Sequence, residues 1–108
     1  MRIYACDDDF PASADEPLHT LQAASDLLRA LASPVRLGIV RELADGGKYL
    51  HERVTALGVS QPLVSQHLRV LRTSRIVAAR RQARETRYSL TDEHVAHIVL
   101  DATRHAQE

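Results

Sequence analysis

The chain has 108 residues with one cysteine, one phenylalanine and no tryptophan, and its formal net charge is zero. This length predicts one domain, the single cysteine excludes an intramolecular disulfide framework, and the few aromatic side chains argue against a stacking platform for single-stranded nucleic acid. No segment has the apolar length of a membrane span and no signal peptide is recognisable, so we expect a cytoplasmic protein that has no membrane partner.

The zero net charge hides a strong segregation of charge along the chain. Residues 1–26 carry six carboxylates against one arginine, whereas residues 69–87 carry seven arginines against one glutamate. Guanidinium groups pair well with phosphate oxygens, and a basic block without lysine favours that use over a merely solvated face. The composition therefore indicates nucleic acid as a partner, and the scarcity of aromatic residues favours double-stranded DNA over a single strand.

The N-terminal half reads as an arm followed by two helices. Residues 1–14 are acidic and irregular and predict a flexible arm, which leaves 15–108 as the folded domain. Leucines at helical spacing predict a first helix that begins around Pro17. Ser33-Pro34 separates it from a second helix, which ends at Asp45-Gly46-Gly47.

A helix-turn-helix follows. A short helix over 50–57, a tight turn at 58–60 and a longer helix that runs to about Thr73 fit the motif, although an ordinary helical hairpin has the same shape. Ser60 is the expected N-cap of the longer helix. Its expected inward side consists of Leu63, Val64, His67, Leu68 and Leu71. Its outward polar residues, which suit contacts to base edges and phosphates, are Ser60, Gln61, Ser65, Gln66 and Arg69.

Two strand-like runs come next and predict a β-hairpin. They cover 76–81 and 85–90 and are joined by Gln82-Ala83-Arg84. An arginine-tipped hairpin directly after a recognition helix is a wing. We expect Arg81 and Arg84 to lie along the DNA backbone or to reach into the minor groove.

The last stretch, 92–108, predicts a helix capped by Thr91 or Asp92. At about 100° per residue, one flank of this helix collects imidazole and carboxylate groups, from His94, His97, Asp101, His105 and Glu108. The adjoining flank is apolar and consists of Val95, Ile98, Val99 and Ala102. A solvated polar face is the plain reading of such a helix, and a metal site is the other.

The spacing of these groups predicts two half-sites for a metal ion. Asp92 and His94 lie at the start of the helix, and His105 and Glu108 lie at its end, about 16 Å away along the axis. One ion cannot reach both pairs within a chain, because ligand bonds are about 2 Å long. Two antiparallel copies, related by a two-fold axis near 99–100, would form two sites of four ligands that suit tetrahedral zinc or cobalt.

The order of these elements resembles the ArsR/SmtB family of metal-sensing repressors over residues 20–108. The stretch 27–37 looks like the opening helices of the family, and 64–71 looks like its recognition helix. The most specific part is similar to the zinc signature on the last helix of the zinc-sensing branch, and it reads Asp92-x-His94-x10-His105-x2-Glu108.

This resemblance implies a mainly α fold of five helices with a β-hairpin wing, a winged helix-turn-helix that dimerises through the terminal helices. It implies that the metal-free homodimer represses by binding a palindromic operator, and that zinc, or alternatively cobalt or nickel, releases the DNA. By resemblance, one chain supplies Asp92 and His94 and its partner supplies His105 and Glu108. His105 would also bond the backbone carbonyl of Arg75 at the start of the wing, which couples metal to DNA.

The sequence departs from the family pattern in three places. Tyr49 stands where members with a second metal site carry a cysteine. The remaining candidates for such a site are Cys6, His51 and Glu52. Ala83 stands at the wing tip where a glycine is common, so we expect a turn without positive φ, and Glu108 is the last residue of the chain.

Two rival functions follow from the same residues. A winged-helix regulator could have a vestigial metal site or respond to oxidation at Cys6. A metal-dependent hydrolase could use the His/Asp/Glu cluster, but the chain lacks a nearby nucleophile, a glycine-rich loop and the length for a deep pocket. We therefore expect no enzyme and no small organic substrate.

Overall fold

The computed structural model describes residues 17–108, so the arm expected at 1–14 lies outside the described part of the chain. Five helices and one antiparallel hairpin confirm the expected element order. They are α1 (Leu18–Leu31), α2 (Pro34–Ala44), α3 (Leu50–Thr55), α4 (Gln61–Thr73), β1 (Val77–Gln82), β2 (Glu85–Leu90) and α5 (Glu93–Gln107). None of the helices in this part is both long and apolar enough to cross a membrane.

Helix α2 is the centre of the molecule and contacts every other helix as well as β2. Its start is fixed locally, because the Ser33 hydroxyl accepts the Arg36 backbone N–H at 3.3 Å and Pro34 supplies a helical φ at the first position. Ile39 and Val40 have no exposed surface. The buried side chains of the described residues are all apolar, so the core is held by hydrophobic packing and the polar groups are left for the surface.

The helix-turn-helix forms from α3, a turn and α4. The Ser60 hydroxyl accepts the Leu63 backbone N–H at 3.4 Å, which confirms the expected cap. Gly58 in the turn has φ 88°, a conformation that costs glycine little. The inward side of α4 was expected to include Leu63, and this is wrong: Leu63 is 41% exposed while its neighbour Val64 is fully buried. Successive helical residues point about 100° apart, and the packing of α4 on α2 selects the Val64 side.

The chain leaves α4 through a left-handed residue, Arg75, at φ 61°. The Ile76 N–H donates to the Leu71 carbonyl and the Arg75 N–H donates to the Arg72 carbonyl, each at 2.9 Å. This is the Schellman pattern, and it is accompanied by packing of Ile76 and Leu71, both almost fully buried. Thr91 then ties the start of α5 to this point: its N–H donates to the Ile76 carbonyl at 3.0 Å and its hydroxyl to the Arg75 carbonyl at 2.8 Å.

The wing pairs Val77 with Leu90 and Arg80 with Arg87 in an antiparallel register. Strand β1 runs one residue further than expected, so the turn contains only two residues, Ala83 and Arg84. Ala83 has φ 55°, so the expectation of a turn without positive φ is wrong. Two-residue hairpin turns require positive φ at the first central residue to match the twist of the strands, and this requirement outweighs the preference of alanine.

We expect Ala83→Gly to raise the free energy of unfolding by roughly 0.5–1 kcal/mol, since glycine relieves the left-handed strain at some cost in chain entropy. The matched control is Ala78→Gly at an exposed position of β1 without positive φ, which should lower stability by roughly 0.5–1 kcal/mol. Urea denaturation of the three proteins measures both. Equal losses for the two variants would contradict the strain at Ala83.

Candidate DNA-binding surface and metal half-sites

The polar face of α4 is open to solvent. The residues expected to contact DNA there are all exposed, and they are Ser60, Gln61, Ser65, Gln66 and Arg69. Two of these side chains already make hydrogen bonds within the protein. The Ser60 hydroxyl caps the helix, and the Gln61 side-chain oxygen lies 2.9 Å from Nδ1 of His51 in α3. Ser65 and Gln66 therefore present the less committed hydrogen-bonding groups of this face.

The arginine block, residues 69–87, begins on that helix and continues along the wing. All seven arginines between 69 and 87 are exposed. Within 17–108, no carboxylate lies within ion-pair distance of any of them. A concentrated positive charge that the folded chain does not neutralise is available to phosphate groups.

The hairpin register adds two arginines that the sequence-based set omitted. Arg80 and Arg87 face each other across the strands on the side opposite to Val77, which is buried. Arg81, which was in the set, shares the face of Val77, although its own side chain is exposed. The alternation of side chains along a strand would have identified Arg80 once Val77 was taken as a core residue.

A partly buried hydrogen-bonded pair, Arg36 and His67, joins α4 to the start of α2. The Nε of Arg36 donates to the Ala30 carbonyl, and Nη1 of the same guanidinium lies 3.2 Å from Nδ1 of His67. Burial, followed by the charge of Arg36, lowers the pKa of His67 below its ordinary 6.5. His67 is therefore neutral at pH 7 and accepts from Arg36, which fastens the recognition helix to the junction of α1 and α2.

The first proposed half-site lies at the start of α5. Asp92 is the N-cap, as expected, and its Oδ1 accepts the N–H groups of His94 and Val95 at 2.8 and 3.3 Å. The His94 Nδ1 lies 3.6 Å from the same oxygen, and both side chains are more than half exposed. A carboxylate and an imidazole thus lie side by side on the exposed surface. The second oxygen of Asp92, Oδ2, takes part in neither of the two cap hydrogen bonds. This donor pair fits half of a tetrahedral zinc site.

The second proposed half-site lies at the other end of α5. His105 is in the last turn and Glu108 is its C-cap, whose N–H donates to the His105 carbonyl at 3.2 Å. Both side chains are exposed. Within the described residues no group of three or more potential ligands comes together.

The face of α5 available to another copy differs from the sequence-based expectation. Val99 was placed near the two-fold axis, but it is fully buried against the core of its own protomer. Val95 is also buried, whereas Ile98 and Ala102 remain exposed beside the proposed ligands. A partner helix could therefore meet the exposed Ile98 and Ala102 but not Val95 and Val99, which are buried within the protomer.

The remaining candidate residues are distributed as follows. The Arg75 carbonyl, expected to accept from His105, accepts from the Thr91 hydroxyl, and the described residues include no bond from His105 to it. Of the second-site candidates, Cys6 lies outside the described residues and Glu52 is exposed. His51 has its Nδ1 engaged by Gln61.

This arrangement defines a winged helix-turn-helix DNA-binding protein. Residues 33–79 match the family described as bacterial regulatory protein, arsR family. The chain is 52% identical over 99 residues to the HTH-type transcriptional repressor SmtB of Mycobacterium tuberculosis, covering 92% of this chain and 72% of that one. It is 39% identical over 93 residues to the transcriptional regulator NmtR of the same species, covering 84% and 78%.

The solved structures agree with the sequence comparisons. The transcriptional repressor BigR of Xylella fastidiosa superposes with a TM-score of 0.63 at 32% identity, covering 78% of this chain and 86% of that one. The chain therefore belongs to the ArsR family of transcriptional repressors. Its relatives are DNA-binding regulators and not enzymes, which removes the hydrolase alternative.

The lowered pKa of His67 predicts a specific loss of stability in mild acid. As the pH falls below 6.5, the ordinary pKa of histidine, His67 takes up a proton in the unfolded chain but not in the native protein. The free energy of unfolding therefore decreases as the pH is lowered, until the pH reaches the lowered pKa of native His67. His67→Gln should flatten this part of the stability profile, because the amide oxygen still accepts from Arg36 and does not titrate. Urea midpoints between pH 7 and pH 5 measure the slope, and an exposed histidine, His19, provides the control as His19→Gln. A wild-type slope in His67→Gln would contradict the assignment.

Proposed function

We propose that this protein is a zinc-responsive repressor whose metal-free homodimer binds a palindromic operator and whose zinc-loaded form releases it. One observation carries the proposal: paired imidazole and carboxylate groups lie at both ends of the exposed side of α5, in a chain of a repressor family. Each pair alone is half of a tetrahedral site, so a complete site requires two chains. Binding to operator DNA implies that the protein works in the cytoplasm.

Exposed apolar side chains support the homodimer. On α5, Ile98 is 36% exposed beside the proposed ligands, and on α1 Leu18, Leu21 and Leu28 are each more than half exposed. Large apolar groups in rows on two helices favour burial against another chain. A two-fold pairing along α5 would bring Asp92 and His94 of one protomer to His105 and Glu108 of the other.

The bound ion would supply positive charge that holds four ligands from two chains in one tetrahedral geometry. Zinc must then favour the conformation with low DNA affinity, because only differential binding shifts an equilibrium. We propose that His105 mediates this effect, with one ring nitrogen for the ion and the other N–H for the Arg75 carbonyl at the start of the wing. That carbonyl has a second lone pair besides the one that Thr91 occupies.

The DNA-binding part of the proposal can be tested on two duplexes of equal length. One is selected by the wild-type protein from a random-sequence pool, and the other is unselected. Gln66→Ala should weaken binding to the selected duplex by about 1–3 kcal/mol, as expected for the loss of a base contact. Unchanged preference in this variant would show that the proposed orientation of α4 is wrong.

The wing arginines should behave differently on the same two duplexes. Alanine variants of Arg80, Arg81, Arg84 or Arg87 should lower the affinity for both duplexes by the same factor. The slope of log affinity against log salt concentration should become shallower by about one for each lost phosphate contact. Arg29→Ala in α1, which removes an arginine paired with Asp26, should leave the slope unchanged. Fluorescence anisotropy over a range of salt concentrations measures these effects.

The metal part predicts a difference between two ligand variants at saturating zinc. The wild-type protein should lose about 5- to 150-fold in affinity for the selected duplex, the range typical of allosteric coupling. His94→Ala should bind zinc more weakly but still release DNA, whereas His105→Ala should remain on the DNA when loaded. Zinc affinity is measured with and without the selected duplex.

Equal coupling in the two variants would contradict the route through His105. A wild-type protein that keeps its DNA in zinc but releases it in peroxide would contradict the zinc proposal and favour oxidation at Cys6. Cys6→Ser should otherwise leave zinc-driven release nearly unchanged, because Tyr49 offers no thiolate partner.

A further inference from the structure

One side-chain contact crosses the helix-turn-helix turn and belongs to neither the core nor the metal half-sites. His51 lies in the first turn of α3, and Gln61 is the first residue of α4. The His51 Nδ1 and the Gln61 Oε1 are 2.9 Å apart, and both residues are exposed. This is the only hydrogen bond between side chains that joins α3 to α4 within the described residues.

The chemistry of the two groups decides which atom carries the proton. An amide oxygen is only an acceptor, so the Nδ1 of His51 must be the N–H that donates. With its oxygen held in this way, the Gln61 amide presents its NH2 group outward. An isolated surface glutamine would rotate among several rotamers and offer either end of the amide, and would lose that freedom on binding.

The fixed orientation has a consequence for base recognition. Glutamine reads adenine through a bidentate contact that uses both its oxygen and its NH2 group. Here the oxygen is already engaged, and the outward NH2 group suits edges that offer acceptors, such as N7 and O6 of guanine or O4 of thymine. The histidine would thus select which of the two glutamine functions faces the major groove.

We propose that His51 is a positioning residue that fixes the Gln61 amide as a hydrogen-bond donor toward an acceptor edge of the operator. The proposal rests on the proposed reading role of α4. It gives His51 a function in DNA recognition in place of the second metal site for which its sequence position made it a candidate.

A double-mutant cycle on the selected and unselected duplexes tests this. His51→Ala should lower the affinity for the selected duplex by about 3- to 10-fold, the usual range for one hydrogen bond. The affinity for the unselected duplex should not change. In a Gln61→Ala background, the same His51→Ala change should have almost no effect. His51→Asn should restore most of the affinity, because the asparagine Nδ2 can donate from nearly the position of the histidine Nδ1.

The matched control is Glu52→Ala, at the exposed neighbouring residue of α3, which should leave the ratio of the two affinities unchanged. Thermal unfolding of each variant checks that the fold is intact. Equal losses from His51→Ala with and without Gln61 would overturn the proposal. Equal losses on both duplexes would also overturn it, since His51 would then contact phosphate directly.

The failure of this inference can be told apart from failure of the proposed function. If Gln66→Ala keeps the preference for the selected duplex, the orientation of α4 is wrong and the inference falls with it. If Gln61→Ala changes that preference but His51→Ala does not, only the positioning role is overturned.

Discussion

The hydrogen bonds of Thr91 to the carbonyls of Arg75 and Ile76 connect the recognition helix, the wing and the last helix. The recognition helix is followed by the left-handed residue Arg75, the wing begins two residues later at Val77, and Asp92, the N-cap of the last helix, follows Thr91 directly. Because the three elements share the same few backbone atoms, a displacement of α5 strains the exit of α4 and the base of the wing. The proposed ligand Asp92 is the next residue after Thr91. A shift of Asp92 on metal binding would therefore be passed to the Thr91 hydrogen bonds through a single peptide unit.

The separation between an apolar interior and a polar exterior makes such a displacement feasible. The buried side chains of the described residues are all apolar, and the hydrogen bonds that bear on DNA contact lie at or near the surface. Hydrophobic packing is non-directional and tolerates small shifts between helices, whereas a buried polar network would resist them. The His67–Arg36 pair is the nearest approach to such a network, and it connects α4 to the α1–α2 junction.

Features that depend on local chemistry could be predicted from the sequence, and features that depend on contacts between elements could not. Ser60 was predicted as a cap, and Asp92 as one of two alternatives, because an N-cap bond involves only the next few residues. The two half-sites rest on helical spacing and stay a prediction, because each needs a second chain to be complete. By contrast, the exposure of Leu63 and the burial of Val99 depend on how helices pack on α2, and the positive φ of Ala83 depends on strand register. The contacts between His51 and Gln61 and between Arg80 and Arg87 join segments whose relative placement no local rule provides.

The pairing of Arg80 with Arg87 means that the wing stores electrostatic energy in the free protein. Two like charges directly opposite each other on adjacent strands repel and weaken the hairpin, and no carboxylate among residues 17–108 lies within ion-pair distance of either. A polyanion placed between them would turn that repulsion into attraction, so the hairpin would become firmer when it is bound than when it is free. The hairpin, already fully paired in the free chain, would therefore gain stability on a polyanion, and the counter-ions of the solution would compete with DNA for the same charges.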